Sequence, residues 1–252
     1  AVPESGYQFH IEPFTIGPGM DREIFIYEKL ENSEPVYVNR VEIAMQSGSH
    51  HFLIYQFDNR LSSIMYPPEG ATRDIYDASG NYQPSVLFHL QFHDFVTGTQ
   101  WPKMDYHYPE GVAFKIPADF GFDLNSHYVN KGTEEIEGEV YANLHTVPES
   151  EVVHVAKLLD VNNDDIYIPA NTLQYKVVYD FIAEEEMNVF QLFSHAHSNM
   201  TEFRVYTTGG ENDGELVYIT YDWEHPPIKE FDPPLVLESG QGFRLETTYD
   251  NP

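Results

Sequence analysis

The hydrophobic and polar positions of this chain alternate over short stretches, with the period of two that is typical of β-strands. Short segments rich in β-branched and aromatic residues recur along the chain, and Gly, Pro, Asn and Asp bound them. Clear examples are 23–27, 36–38, 51–55, 139–144 and 203–206. No stretch combines a sustained helical period with a capping signal at its start. The pattern predicts an all-β protein made of antiparallel β-sandwiches.

A polar, proline-containing interruption at 147–151 separates two strand-rich halves of the chain. The 252 residues suffice for one large β domain or two of ordinary size. Each half is long enough for a sandwich, so we predict domains at 1–150 and 151–252. The composition does not change at the interruption, and the boundary therefore depends on turn signals alone.

The net charge limits the kinds of molecule that this protein can bind. The chain has 13 Lys and Arg residues and 41 Asp and Glu residues, which gives a net charge of −28. Such a surface repels nucleic acid and anionic membranes, because both need basic residues to displace counterions, whereas it attracts cations. No apolar run approaches the roughly 20 residues that cross a bilayer, so we expect no membrane insertion. The start at Ala1 suits a processed, secreted or periplasmic protein, and equally a trimmed chain.

The absence of cysteine restricts the chemistry further. With no Cys there are no disulfides, thiolate metal sites or thiol nucleophiles. Any metal must be held by His, carboxylate, carbonyl or Met, and the twelve histidines are the feature that most needs explanation. No Ser-His-Asp arrangement or nucleophile elbow is evident, which argues against hydrolase chemistry.

The sharpest histidine motif lies in the second half, at His195 and His197. Residues two apart on a strand point to the same face, so both rings can approach one ion. Imidazole suits copper, zinc, iron and nickel, and the spacing indicates a site without naming its metal. On its own, a His-x-His pair is more often two surface or packing histidines.

A second motif lies in the first half, where His50 and His51 are adjacent. Neighbours on a regular strand face opposite ways, so the pair needs a local distortion before both rings can share an ion. The preceding Ser47–Ser49 stretch is a suitable place for a bulge. His127 is a candidate third ligand. Without such a bulge, one ring packs inward and the other faces water.

Two further features have weaker claims to a site. His89 and His93 are four apart in a segment that suits a strand or a loop, and packing histidines are the usual explanation for such a pair. The acidic stretch 160–165 suggests Ca²⁺ binding, although it lacks the regular spacing of an EF-hand loop.

Taken in order, these motifs resemble the copper type II, ascorbate-dependent monooxygenases, the family of peptidylglycine α-hydroxylating monooxygenase and dopamine β-monooxygenase. The likeness extends from about residue 7 to the end of the chain. The features that match are His50–His51 on a hydrophobic strand, 109–114, His127–Tyr128 with Asn130, 167–170, His195-x-His197 and 237–243.

The resemblance implies a fold and a chemistry. It implies two antiparallel jelly-roll-like sandwiches that face each other across a cleft, each with one copper ion. In that scheme His50, His51 and His127 hold an electron-transfer copper. His195 and His197 hold the copper at which O₂ and a C–H bond of a small organic or peptide substrate meet. Ascorbate is the reductant that the resemblance implies for both ions.

This sequence departs from the family in two ways. Animal members have several disulfides and this chain has none, so it looks like a microbial relative. The oxygen-binding copper of the family also takes a methionine thioether, expected downstream of residues 245–249, where this chain stops at Pro252. Three explanations stay open: the sequence is truncated at this end of the second domain, the ligand is missing, or it is recruited from elsewhere. Met200 is close in sequence but has the wrong parity for the strand, and is only a weak candidate. Arg204 and Lys176 are weak candidates for contacting a substrate carboxylate.

The sequence leaves three alternative functions for this protein. The first is a copper-dependent monooxygenase acting at His195 and His197. The second is a copper protein of storage, sensing or electron transfer on the same fold, which the missing methionine favours. The third is a β-sandwich that binds a carbohydrate or Ca²⁺, and it predicts no histidine-dependent copper binding. Neither the substrate nor the oligomeric state is indicated by the sequence.

Overall fold

The computed structural model describes residues 1–163 and 166–252, and its elements are almost all β-strands, so the predicted all-β class is confirmed. The chain folds into two compact units, Ala1–Leu159 (unit 1) and Asp160–Pro252 (unit 2). The division lies later than the predicted 150/151 boundary, because the strand at His154–Ala156 pairs with a strand of unit 1. No helix among the described residues is long and apolar enough to cross a membrane.

Unit 1 is formed by strands with one short helix and two single 3₁₀ turns, at Ser63–Met65 and Glu149–Glu151. In chain order its elements are β1 (Gly6–Ile16), β2 (Asp21–Lys29), β3 (Val36–Met45), β4 (Ser49–Phe57), β5 (Thr72–Asp74), α1 (Pro84–Leu90), β6 (His93–Thr99), β7 (Lys103–His107), β8 (Val112–Ile116), β9 (Gly121–Val129), β10 (Ile136–Val147) and β11 (His154–Ala156).

These strands form two sheets that share one hydrophobic core. The first has the order β1-β10-β3-β8-β11, with β7 also paired to β3, and the second has the order β5-β2-β9-β4-β6. Pairing is antiparallel except between β11 and β8, which are parallel. Ile11 and Ile43 of the first sheet and Phe52, Ile54 and Leu124 of the second belong to the same buried cluster. The jelly-roll topology and the arrangement across a cleft stay predictions.

Strand alternation decides which side chains of β4 enter that core. Phe52 and Ile54 are fully buried, whereas His51, which has the opposite parity, is not part of the cluster. On β9, Leu124 is likewise buried in the core. Residues of the opposite parity on that strand, including His127, therefore lie on the other face of the second sheet. This face carries the candidate site.

The helix α1 differs from the expectation for 87–93, which suited a strand or a loop. Pro84 occupies one of the first helical positions, where its missing N–H costs nothing, and this is the local signal for the helix start. The helix buries Val86 in a small cluster with Phe25 and Ile75. At only seven residues, it depends on this packing rather than on its own propensity.

Unit 2 contains six strands among its described residues, in a four-stranded sheet ordered β12-β17-β14-β15 and a two-stranded sheet of β13 and β16. All its pairings are antiparallel. A separate core includes Phe203, Val205 and Phe243. The strands are β12 (Thr172–Ile182), β13 (Met187–Leu192), β14 (Met200–Thr208), β15 (Leu216–Thr220), β16 (Lys229–Leu237) and β17 (Gly242–Asn251).

Candidate metal centre

The structure brings His50, His51 and His127 together as a triad on the outer face of the second sheet of unit 1. His51 on β4 is the direct cross-strand partner of His127 on β9. The pairing register shifts between Ser49 and His51, so the strand has an irregularity at the place where the sequence required one. As a result the adjacent histidines turn toward each other, with their Nδ1 atoms 3.2 Å apart.

The three rings have the spacing of ligands around one ion. Ring centroids are 5.2 Å apart for His50 and His51, and 5.0 Å for each of these rings with His127. One ring nitrogen from each residue lies within 4.8 Å of the others. Two nitrogens bound to one ion at ~2.0–2.1 Å with a tetrahedral angle are about 3.3 Å apart, close to the observed Nδ1–Nδ1 distance. Among the described residues, this is the one group of three or more His or carboxylate donors that fits a metal ion.

The buried amide of Asn125 fixes the tautomer of His51. Both hydrogens of its Nδ2 are directed to acceptors, Glu23 Oε1 at 3.0 Å and the Ile24 carbonyl at 3.2 Å. Its Oδ1 lies 2.7 Å from His51 Nε2, and an amide oxygen only accepts, so that ring nitrogen carries the hydrogen. With that hydrogen on Nε2, the other ring nitrogen, Nδ1, is the atom turned toward His50.

Asp21 has the same effect on His127. Its Oδ1 accepts a hydrogen bond from His127 Nε2 at 2.5 Å, because an ionised carboxylate has no hydrogen to donate. The remaining ring nitrogen, Nδ1, is then the one that a metal ion would use. A ring hydrogen bonded to a carboxylate or amide is the usual way in which proteins orient histidine ligands.

The environment of the triad is shielded and negatively charged. Only 12% of the His51 side chain and 15% of the His127 side chain are exposed. Burial on its own would raise the pKa of the Glu23 carboxyl, but the neighbouring His51 and His127 outweigh it and lower that pKa. Glu23 and Asp21 thus place two carboxylates beside the three imidazoles. Three imidazoles with anionic neighbours fit a cation.

The second candidate pair, His195 and His197, lies just after β13 rather than on a strand, so the predicted strand ends earlier than expected. Burial nevertheless alternates along the segment, since exposed His195 and His197 flank the buried Ala196. Their ring centroids are 5.0 Å apart, the separation found in the triad, and the rings are nearly perpendicular at 81°. The two imidazoles therefore face one region of solvent.

Met200 does not accompany this pair. Its side chain is buried in the core of unit 2, the cluster that also holds Ala196, while both histidines are exposed. The thioether therefore packs among apolar neighbours, and the weak candidacy of Met200 as a ligand stays a prediction.

The other sequence candidates have structural roles. His89 Nε2 lies 3.0 Å from the Met65 carbonyl and His93 Nε2 lies 2.9 Å from Asp123 Oδ2, so each ring has its own hydrogen-bond partner. Lys176 contacts Glu246 at 2.7 Å and Arg204 contacts Glu202 at 2.8 Å. Both cations are thus already paired with carboxylates. Within the acidic stretch 160–165, residues 164 and 165 lie outside the described residues.

Asn125, Glu23 and Asp21 are site residues that sequence reasoning missed. Asn125 precedes His127 by two, so strand parity places it on the same face, and this was a usable signal. Glu23 is the cross-strand partner of His127 on β2, a neighbour that only the register discloses. Asp21 begins the same strand.

We expect replacement of Asn125 by leucine to weaken metal binding at the triad by about 10- to 100-fold, the usual effect of losing a partner that orients a histidine ligand. The leucine leaves His51 Nε2 without its acceptor. Asn125→Asp is the companion variant: it keeps an acceptor oxygen for His51 Nε2 but loses the hydrogen bonds donated to Glu23 and Ile24, so we expect a smaller loss of affinity than in Asn125→Leu. Competition titration with a chelator measures both, and equal affinity in the wild type and Asn125→Leu would contradict this role.

Comparisons with known proteins give no family for the chain. No protein-family model matches it, and no curated protein matches it. It is similar to the PBSX exported protein XepA at 8% identity and a TM-score of 0.25, over 99% of this chain and 88% of that one. It is also similar to a Bacteroides ovatus ATCC 8483 protein described as an alpha-L-fucosidase, at 8% identity and a TM-score of 0.21, over 96% of this chain and 35% of that one. Likenesses this weak carry no argument about function.

Proposed function

We propose that this protein binds copper through two groups of histidines and acts as a copper-dependent monooxygenase. The observation that carries the proposal is the triad, in which three imidazole nitrogens lie within 4.8 Å of one another. All-imidazole donors suit copper, and the chain has no cysteine to favour a thiolate metal. Copper bound there would supply one-electron transfer.

The parts of the protein then have separate roles. Asn125 and Asp21 orient the rings of His51 and His127, so that the donor set is organised before the ion binds. His195 and His197 contribute two imidazoles on an exposed segment, which leaves room for a further ligand and for O₂. The reductant in this proposal is ascorbate or a similar small donor, and the substrate is a small organic molecule or peptide with a C–H bond to hydroxylate. We place the protein in a secreted or periplasmic setting.

A second candidate function is non-catalytic copper binding or electron transfer. The specific observation in its favour is that, within the described part of the chain, only the triad gathers three donors, whereas His195 and His197 offer two. The two functions differ in whether the second pair reacts with O₂.

The test is O₂ consumption by copper-loaded, desalted protein in the presence of ascorbate. We expect uptake by the wild type above that of a matched apoprotein sample, and loss of that uptake in His195→Ala/His197→Ala with copper at the triad retained. Catalase and free-copper controls separate protein-bound chemistry from copper in solution. Uptake that persists in this variant, or no uptake by fully loaded wild type, would favour the non-catalytic function.

A further inference from the structure

The first strand of unit 2, β12, is an edge strand without the usual protection against further pairing. It lies at the end of the four-stranded sheet, with β17 on one side and no described strand on the other. Its pairing with β17 runs without a register shift from Tyr175 to Ile182. Such an edge presents unpaired N–H and C=O groups to any added strand, and proteins usually block it with a proline, a bulge or a short strand.

The other strands at the ends of sheets have such protection. β1 has the same length but contains Pro13 within a register shift. β16 contains Pro233 and Pro234. The remaining end strands among the described residues have seven residues or fewer. β12 has eleven residues with neither proline nor glycine, and it is therefore the edge most open to strand addition.

The charge and exposure of β12 favour a second copy of this chain as the added strand. Its only charged residues are Lys176 and Asp180, so the strand is neutral in a chain whose net charge is −28. Val178, Tyr179 and Ile182 are 46%, 40% and 62% exposed. Most of an acidic surface repels a second copy, whereas a neutral strand with exposed apolar side chains lets it approach.

The sequence of β12 also selects one register for pairing with itself. In an antiparallel pair related by a two-fold axis, residues equally far from the axis on either side become partners. With Val178 at the axis, Lys176 lies opposite Asp180 of the second copy, and this pair occurs twice. An axis at Lys176 or Asp180 would instead place like charges face to face. Opposite charges in direct cross-strand positions stabilise a strand pair and like charges destabilise it, so the axis belongs at Val178.

We propose that β12 pairs with β12 of a second copy, antiparallel about Val178, and that the protein is a homodimer. The two four-stranded sheets then form one continuous sheet of eight strands. Val177 faces Tyr179 of the second copy, so that the exposed tyrosine gains an apolar cross-strand neighbour. The pairing involves none of the histidines, and the proposal is therefore independent of copper binding.

The charges on the exposed face fit this arrangement. Arg244 on β17 is the cross-strand partner of Asp180 and contacts it at 2.8 Å. In the dimer, Lys176 of the second copy lies on the other side of Asp180. The order across the sheet is thus Arg244, Asp180 and Lys176 of the second copy, with signs that alternate, and the two-fold axis repeats it.

The first test is a single introduced thiol, which reports on this contact alone because the chain has no cysteine. Directly opposite residues of an antiparallel pair have Cα atoms about 4.5–5.5 Å apart, within the range of a disulfide. We expect Val178→Cys in the full chain to form a covalent dimer on mild oxidation at least about 10-fold faster than Val236→Cys, because strand pairing holds the two thiols together. Val236 is a matched control, a valine of unit 2 that is 49% exposed and lies outside β12. Equal rates would overturn the proposal.

The second test is sedimentation velocity of the full chain over a range of concentrations at physiological salt. We expect the wild type to form a dimer and Val178→Lys to be a monomer, since two ammonium groups would meet at the axis. Val236→Lys should keep the dimer, and circular dichroism checks that both variants are folded. A wild type that stays monomeric, a dimer that persists in Val178→Lys, or a dimer lost equally in both lysine variants would contradict pairing through β12.

Discussion

Replacing His51 with alanine is expected to abolish tight copper binding in unit 1, with an affinity loss of more than about 100-fold. The variant removes one of three ligands, and it also removes the ring that Asn125 orients, so its effect exceeds the 10- to 100-fold cost typical of losing an orienting partner alone. Isothermal titration or chelator competition with Cu(II) measures the change.

The control for this prediction is His107→Ala. His107 is 64% exposed and pairs with Asp105 at 3.3 Å, outside the triad. The substitution removes an imidazole from unit 1 that is not part of the triad, and we therefore expect no change in copper affinity. Equal losses in the two variants would show that copper binds nonspecifically to surface histidines and carboxylates. Undiminished affinity in His51→Ala would exclude the triad as the binding site.

Replacing Arg73 with methionine is expected to destabilise unit 1 by about 3–5 kcal/mol. The Arg73 guanidinium contacts the carboxylate of Asp123, which is fully buried, and stands over the Phe25 ring at 5.9 Å. Burial lowers the pKa of Arg73 below its ordinary value, against the opposing effect of Asp123, but a guanidinium stays charged. The methionine fills much of the volume and leaves Asp123 with His93 as its remaining ion-pair contact.

Arg60→Met is the matched control for this second prediction. Arg60 also pairs with an aspartate, Asp58, but its side chain is 67% exposed, so we expect a loss below about 1 kcal/mol. Urea unfolding of the full chain, followed by tyrosine fluorescence and circular dichroism, gives both values. If the two variants lose equal stability, the burial of the Arg73–Asp123 pair does not account for the loss.

Much of unit 1 could be predicted from local pattern. Alternation on β4 places Phe52 and Ile54 in the core and His51 on the other face, which is the observed arrangement. His50 and His51 are adjacent and can share an ion only if the strand is locally distorted, and the register shift after Ser49 provides this distortion. These features depend on residues close in sequence, and for this reason the sequence was sufficient.

The closure of the triad depends on long-range register, which one sequence does not specify. His127 meets His51 because β9 lies between β2 and β4, and a shift of one residue in that pairing would turn His127 toward the core. Asp21 and Glu23 join the site through the pairing of β2 with β9. Such partners are far apart along the chain and have no local signature.

The differences between the predictions and the structure have physical reasons. The segment with His195 and His197 keeps the alternating burial of a strand but lies beyond β13, which ends at Leu192, and alternation alone does not distinguish a paired strand from a loop. The helix α1 is too short for a helical period to be visible, and it is held by contacts of Val86 with Phe25 and Ile75. The later domain boundary follows from the parallel pairing of β11.

The most direct test of the central claim is copper stoichiometry, measured by elemental analysis after Cu(II) loading and desalting through a weak chelator. We predict two copper ions per chain in the wild type, and one in each of the variants His50→Ala/His51→Ala and His195→Ala/His197→Ala. The control His107→Ala/His154→Ala, which removes two histidines outside both sites, should retain two. Copper that is absent from the wild type, or that persists undiminished in both site variants, would contradict the two-site account.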